Sequence, residues 1–181
     1  RVWSDGSCLH PAENLLRRAT WAVVGLEPDG FRTLASAIVH GRQTIGRAEL
    51  SAVIWVSRCP GNAVDVIDAK YLTFCLARCS GDTCPAALLD GPNGDLWRLL
   101  LRWVTVEWVV AHLTVAQAVA LGIDELDRQG NDAADIAAST LARSIAPSQA
   151  LVSNRALWKA GAAALHSILS AIQEAALAVH H

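Results

Sequence analysis

Four acidic residues stand where acids are out of place. Asp5 interrupts Trp3-Ser4-Asp5-Gly6-Ser7, and Glu49 follows Arg47 and Ala48 where an apolar helical stripe begins. Asp68 closes the run Val66-Ile67-Asp68, and Asp135 lies in Asn131-Asp132-Ala133-Ala134-Asp135. An unpaired charge in an apolar segment is costly. Several carboxylates gathered in one place repel one another unless cations sit between them. Hard oxygen ligands of this kind suit Mg²⁺ or Mn²⁺, and a pair of such ions suits hydrolysis of a phosphodiester. Taken singly, each acid has a plainer use: Asp68 as a strand-end cap, and Asp132 or Asp135 near a helix N-terminus, where they meet its dipole. The chemistry requires all four together.

The elements that would have to gather them can be read from periodicity. Three β-like runs come first, over residues 1–7, 20–26 and 31–39, separated by turns containing Pro11, Asn14, Pro28, Asp29 and Gly30. Residues 47–57 switch to helical period, with Leu50, Val53, Ile54 and Ser57 on one stripe. A short β-branched strand over 63–67 ends at Asp68, a helix is expected over 69–78, and a loop with Pro85 and Pro92 fills 80–94. A helix over 95–102 and a strand over 104–110 follow, then a turn of helix capped by Thr114 and ended by Gly122. Asn131 is expected to cap an alanine-rich helix over 132–143. Beyond Pro147 and Ser148 a last helix runs toward Val179 with Leu157, Leu165, Ile168 and Ile172 on its stripe. The order is α/β, a mixed sheet with helical crossovers.

In this order the segments resemble the type 1 ribonuclease H family. Trp3-Ser4-Asp5-Gly6-Ser7 is similar to its opening strand, and Gln43-Thr44-Ile45-Gly46-Arg47-Ala48-Glu49-Leu50 to the start of its first helix. Val66-Ile67-Asp68-Ala69-Lys70-Tyr71 is similar to the strand end that bears its third acid, and Gly130-Asn131-Asp132-Ala133-Ala134-Asp135 to its N-E-x-x-D run. Residues 104–112 are similar to the strand leading to the family's mobile catalytic histidine, here His112. The chain departs from the family in having Val110 two before that histidine, Ile45 and Gly46 where asparagines often stand, and 18 residues between His112 and Asn131. The longer segment is a feature of some retroelement-encoded relatives.

The resemblance implies a ribonuclease H-like fold, a mixed five-stranded sheet flanked by helices, over residues 1–143, with 144–181 as an extra C-terminal helical extension. It implies an endoribonuclease that hydrolyses the RNA strand of RNA/DNA hybrids with two Mg²⁺ ions, for which Mn²⁺ can substitute. Asp5 would bridge both ions, Glu49 and Asp68 would complete one, and Asp135 the other. His112 would assist proton transfer or product release. Gly6 and Ser7 would offer backbone groups to 2′-hydroxyls, while Arg42, Thr44 and Arg47 would contact substrate. A tethered reverse transcriptase or hybrid-binding domain is the implied partner. A DNA-cutting nuclease of the same fold, or a catalytically idle module of a reverse-transcriptase polyprotein, are the alternatives.

Composition bounds the rest. The 181 residues are 52% hydrophobic and 18% charged, which excludes a disordered chain. Fifteen Lys+Arg against 17 Asp+Glu give a net charge of −2, so no global basicity marks a nucleic-acid binder. An odd five cysteines argue against a closed disulfide framework, and Cys75, Cys79 and Cys84 lack the spacing of a zinc knuckle; free thiols in a reducing, intracellular compartment are expected. Charges at Asp5, Glu13, Arg17 and Arg18 interrupt any signal-like apolar run, and no stretch reaches the length of a bilayer span. Trp21, Trp55 and Trp103 are expected in the core rather than stacking on bases. No methionine occurs and the chain opens inside a strand, as expected of a piece of a longer polyprotein. Ser7 as a nucleophile has no His/Asp partner and no G-x-S-x-G context.

Overall fold

The computed structural model describes residues 1–79, 83–100 and 104–179, the side chains of 176–179 excepted. They form two units, Arg1–Ala146 and Pro147–His181. In the first, β1 (Val2–Leu9), β2 (Arg18–Glu27) and β3 (Gly30–Ile38) form an antiparallel meander. The β2–β3 hairpin closes on Pro28 and Asp29, with Glu27 opposite Gly30, whose φ of +123° a side chain would resist. On the other side of β1 lie β4 (Val64–Ile67) and β5 (Thr105–Trp108), both parallel, giving the order β3-β2-β1-β4-β5. This is the expected mixed five-stranded sheet.

Helices cover both faces. On one lies α1 (Ile45–Arg58), whose Ala48, Ala52, Val53 and Val56 meet Ala19, Val23, Val39 and Ile67. On the other, α6 (Glu125–Ser144) brings Ala134 against Trp3, Val24, Val66 and Val109. As the central strand, β1 is buried on both sides, so its polar residues Ser4 and Asp5 are buried with Trp3. Between β4 and β5 run α2 (Lys70–Ala77), α3 (Ala86–Leu89) and α4 (Gly94–Trp97); α5 (Val115–Leu121) starts on a Thr114–Gln117 capping box and ends at Gly122.

Two helix boundaries differ from the sequence reading. The Asp124 carboxylate accepts from Leu126 N–H at 2.8 Å and caps α6, and Arg128 pairs with Glu125 and Asp132 across the first turns. The helix therefore begins before Gly130-Asn131, and Asn131 is an interior residue rather than a cap. The helix expected over 95–102 is the single turn α4, and α3 lies inside the expected loop. Trp21 and Trp55 pack together half-buried on the α1 face, with ring centroids 6.4 Å apart. Trp103, Ser80 and Asp82 lie outside the described residues.

The second unit holds α7 (Gln149–Val179), a 31-residue helix along which Leu157, Leu165, Ile168 and Ile172 are exposed. No helix among the described residues is long and apolar enough to cross a membrane.

Gly130 is tolerated in mid-helix because α6 crosses β1 on the Trp3 ring: a Cβ there would come within 2.3 Å of the indole. Asp127, one turn earlier, accepts from Trp3 Nε1 at 3.0 Å and also holds Arg1. Gly130→Ala should therefore lower stability by about 1–3 kcal/mol through overpacking, despite its better helix propensity. Urea unfolding followed by circular dichroism would measure it. An unchanged midpoint would show that the helix can shift off the indole.

Candidate active site

The β1–β4 ladder is only two pairs long, Val2↔Asp65 and Trp3↔Val66. Carried two places further, the same register sets Asp5 opposite Asp68, where the two strands have parted. Glu49 arrives from α1. Its first turn presses so closely on β1 that a Cβ at Gly6 would lie 2.7 Å from Glu49 N and 2.8 Å from Ala48 Cβ. Thr44 fixes where that helix begins, its hydroxyl accepting from Arg47 N–H at 3.3 Å. One carboxylate oxygen from each of Asp5, Glu49 and Asp68 lies within 4.8 Å of the others.

Asp135, one turn beyond Asn131 on α6, stands outside this trio, but its charge acts on both Asp5 and Asp68. His112 is exposed on the loop after β5, at a left-handed φ of 53°, and its charge acts on Asp68. The four acids and the histidine singled out in the sequence are thus brought to one end of the sheet.

The electrostatics are those of like charges held out of water. Burial, then the Asp68 charge, pushes the Asp5 carboxyl up to about 7, against the pull of the Gly6 N–H bond at 2.7 Å. Burial and then the Asp5 and Asp68 charges hold Glu49 well above the usual carboxylate range. Asp68 is raised by burial, while the Asn131 amide and the His112 charge pull it down. Three such oxygens, close and short of donors, form a hard anionic ligand set, which fits a divalent cation such as Mg²⁺ or Mn²⁺.

Not every expected contact takes its place. The Arg47 guanidinium is turned away from the acids: Nε donates to the His40 carbonyl at 2.6 Å, and both terminal nitrogens donate to the Asp95 carboxylate. At 8% exposure it is a clamp between α1 and α4 rather than a phosphate contact. The same pairing holds the Asp95 carboxyl at about 2. The Gly6 N–H is already given to Asp5, so it is not open to a 2′-hydroxyl. Ser7 remains half-buried on β1, and Arg42 is exposed at the rim of an open groove of about 760 Å³ that it shares with Asn93 and Arg98. Cys75, Cys79 and Cys84 belong to no metal-ligand cluster among the described residues.

Two residues bear on the site in ways their place in the sequence does not reveal. Asn131, only 2% exposed, donates Nδ2 to Asp68 Oδ2 at 3.4 Å, while its Oδ1 has no partner. Asp65 is wholly buried beneath α1; Ser4 donates to one oxygen at 3.0 Å and the other is unpaired. Burial pushes its carboxyl up to about 8. A charge inside Val64-Asp65-Val66-Ile67 was the available signal.

Comparison with known proteins comes from structure alone: no protein-family model matches the chain, and no curated protein matches its sequence. LC9-RNase H1, described as a type 1 RNase H with the type 2 active-site motif, superposes with a TM-score of 0.50 at 20% identity, covering 79% of this chain and 71% of that one. A foamy viral protease-reverse transcriptase, solved in complex with dsDNA, gives 0.51 at 16% identity, covering 80% of this chain and 94% of that one. The fold is the ribonuclease H fold.

The raised carboxyls make stability depend on pH in an unusual sense. The folded chain keeps protons on Asp5, Glu49, Asp65 and Asp68 that the unfolded chain releases above about pH 4. More protons bound in the native state means that stability falls as pH rises, from about 4 toward the folded values near 7 and 8. The melting temperature should therefore be higher at pH 5 than at pH 8 in metal-free buffer, and Asp65→Asn should flatten the profile. A scan rising steadily from pH 5 to pH 8 would contradict this.

Proposed function

We propose that the first unit is an endoribonuclease that hydrolyses the RNA strand of RNA/DNA hybrids with divalent cations. The observation that carries this reading is the trio of buried Asp5 and Glu49 with half-buried Asp68, one oxygen of each within 4.8 Å of the others, on a ribonuclease H fold. Asp5, Glu49 and Asp68, with Asp135 beside them, would hold two Mg²⁺ ions. Bound there, such ions lower the pKa of the attacking water and stabilise the leaving 3′ oxygen.

The chain's own residues do the remaining work. Asp5 is oriented by the Gly6 N–H and Asp68 by the Asn131 amide, so both present fixed oxygens. His112, exposed with its charge acting on Asp68, would carry a proton between the site and solvent. Thr44 and Arg47 hold α1 so that Glu49 faces Asp5. Arg42, beside Asn93 at the groove, is the phosphate contact the arrangement leaves open. Ser7 on β1 is the backbone position left to read a 2′-hydroxyl.

A reverse transcriptase or hybrid-binding module on the same polypeptide is the partner that suits a net charge of −2, since tethering supplies effective concentrations of order mM. The presence of all four acids at one site speaks against an idle module, because gathering them without a cation only costs stability.

Matched RNA/DNA, DNA/DNA and RNA/RNA duplexes, with and without Mg²⁺, test the reading. The expected result is cleavage of the RNA strand of the hybrid alone, leaving 3′-hydroxyl and 5′-phosphate ends and stopping on EDTA addition. Asp5→Asn should stay folded and lose more than about 100-fold in rate, beyond the loss typical of an outer-shell partner. Activity that survives EDTA, or cleavage of DNA duplexes only, would overturn it.

The two arginines should separate cleanly. Arg42→Ala is expected to leave the melting temperature alone and to reduce the salt dependence of hybrid binding by about one ion. Arg47→Ala should lower the melting temperature, because it leaves Asp95 and the His40 carbonyl unpaired. A stable Arg47→Ala protein with weakened binding would restore Arg47 as a substrate contact.

A further inference from the structure

The unit Pro147–His181 consists of one helix, so it has no second element of its own to pack against. Leu151, Trp158, Leu165 and Ile172 recur every seven residues along α7, as the a positions of a heptad repeat. Asn154, Gly161, Ile168 and Ala175 fall at the d positions, where three of the four are small or polar. The polar residues Lys159, His166, Gln173, Ser167 and Glu174 all fall at b or c, on the outer side of such a helix. A spacing of 3.5 residues is what a helix needs in order to keep one seam against another helix.

We infer that α7 pairs with α7 of a second copy of this chain as an antiparallel two-helix coil. The large-and-small alternation selects the direction. In an antiparallel pair, a positions face d positions of the partner helix. One register then sets Trp158 against the small Ala175, Ile172 against Gly161, and Leu165 against Ile168, and the two-fold axis repeats each pairing. A parallel pair would set each tryptophan against its own copy and each glycine against its own copy, overfilling one layer and emptying the next.

The surface is sufficient. Seven large apolar side chains of α7 are exposed. Six of them, all but Leu151, which this register leaves without an opposite residue, would at on the order of 100 Å² each bury roughly 1,200 Å² across two helices, at the lower end of the about 1,200–2,000 Å² of a stable interface.

Light scattering of the full chain at micromolar concentration, in metal-free buffer and without nucleic acid, tests this. Twice the monomer mass is expected, and Leu165→Asp should return the monomer. Gly161→Leu supplies the decisive arm. Nothing lies within 4 Å of a Cβ at Gly161, and leucine is the better helix former, so the helix itself gains from this change. The packed layer opposite Ile172 would be overfilled, and the dimer dissociation constant should rise at least about tenfold. A monomeric wild-type chain overturns the inference, whether α7 is then free or seated elsewhere on its own chain. A dimer indifferent to Gly161→Leu overturns it as well.

Discussion

Three carboxylates from three different elements are held within reach of one another and away from water, and much of the architecture answers to that repulsion. Two unit charges about 4 Å apart cost about 4 kcal/mol at an effective dielectric of 20, a large part of the 5–15 kcal/mol that holds a domain folded. The chain offers the trio little relief. One N–H from Gly6 meets Asp5, one amide from Asn131 meets Asp68, and the His112 charge acts on Asp68 from the surface. Arg47, two residues before Glu49 on α1, points to a different side of the helix, where its guanidinium is committed to Asp95. The carboxyls respond by keeping their protons, or, on the reading proposed above, by taking up cations.

A site under this strain has to be braced by groups that do not touch it. The brace is largely backbone proximity. Gly6 lets the first turn of α1 lie directly on β1, and Gly130 lets α6 lie on Trp3, so Glu49 and Asp135 are set by helix placement rather than by flexible side chains. Arg47 fastens the start of α1 to α4 and to the first residues of the β3–α1 connection. Asp127 fastens α6 to Arg1 and Trp3. The β1–β4 ladder stops after two pairs, which opens the space that the carboxylates share.

Much of this was legible in the sequence, for a physical reason. A charge inside an apolar run is anomalous on its face, so Asp5, Glu49 and Asp68 declare themselves, and strand and helix periods place them in order. Direction and depth are a different matter. Asp65 is the same anomaly three residues from Asp68, and only the strand register tells which acid lies under a helix and which at the open end. Arg47 reads as a cation near a phosphate site until its partner 48 residues away is known. Asn131 reads as a cap because asparagine is a favoured N-cap and an alanine-rich helical run follows it. Its place inside α6 follows from Asp124 capping earlier and from Trp3 excluding any Cβ at position 130.

The same shortage of positive charge near the acids bears on how the proposed substrate and ions would bind. Arg47 is committed, Arg98 pairs with Asp90 at 3.3 Å, and Arg42 alone of the three faces the groove without an ion pair among the described residues. The cations would then be the largest positive charges a phosphate meets. Mg²⁺, for its part, binds best where substrate phosphate oxygens complete a shell that carboxylates only begin. Each would raise the affinity for the other, and linkage makes the two effects equal. Burial raises all three carboxyls, so cation binding must displace protons from them, and a cation shell completed by phosphate oxygens offsets part of that cost. The burial that makes the site costly to fold thereby also favours filling it with metal and nucleic acid together.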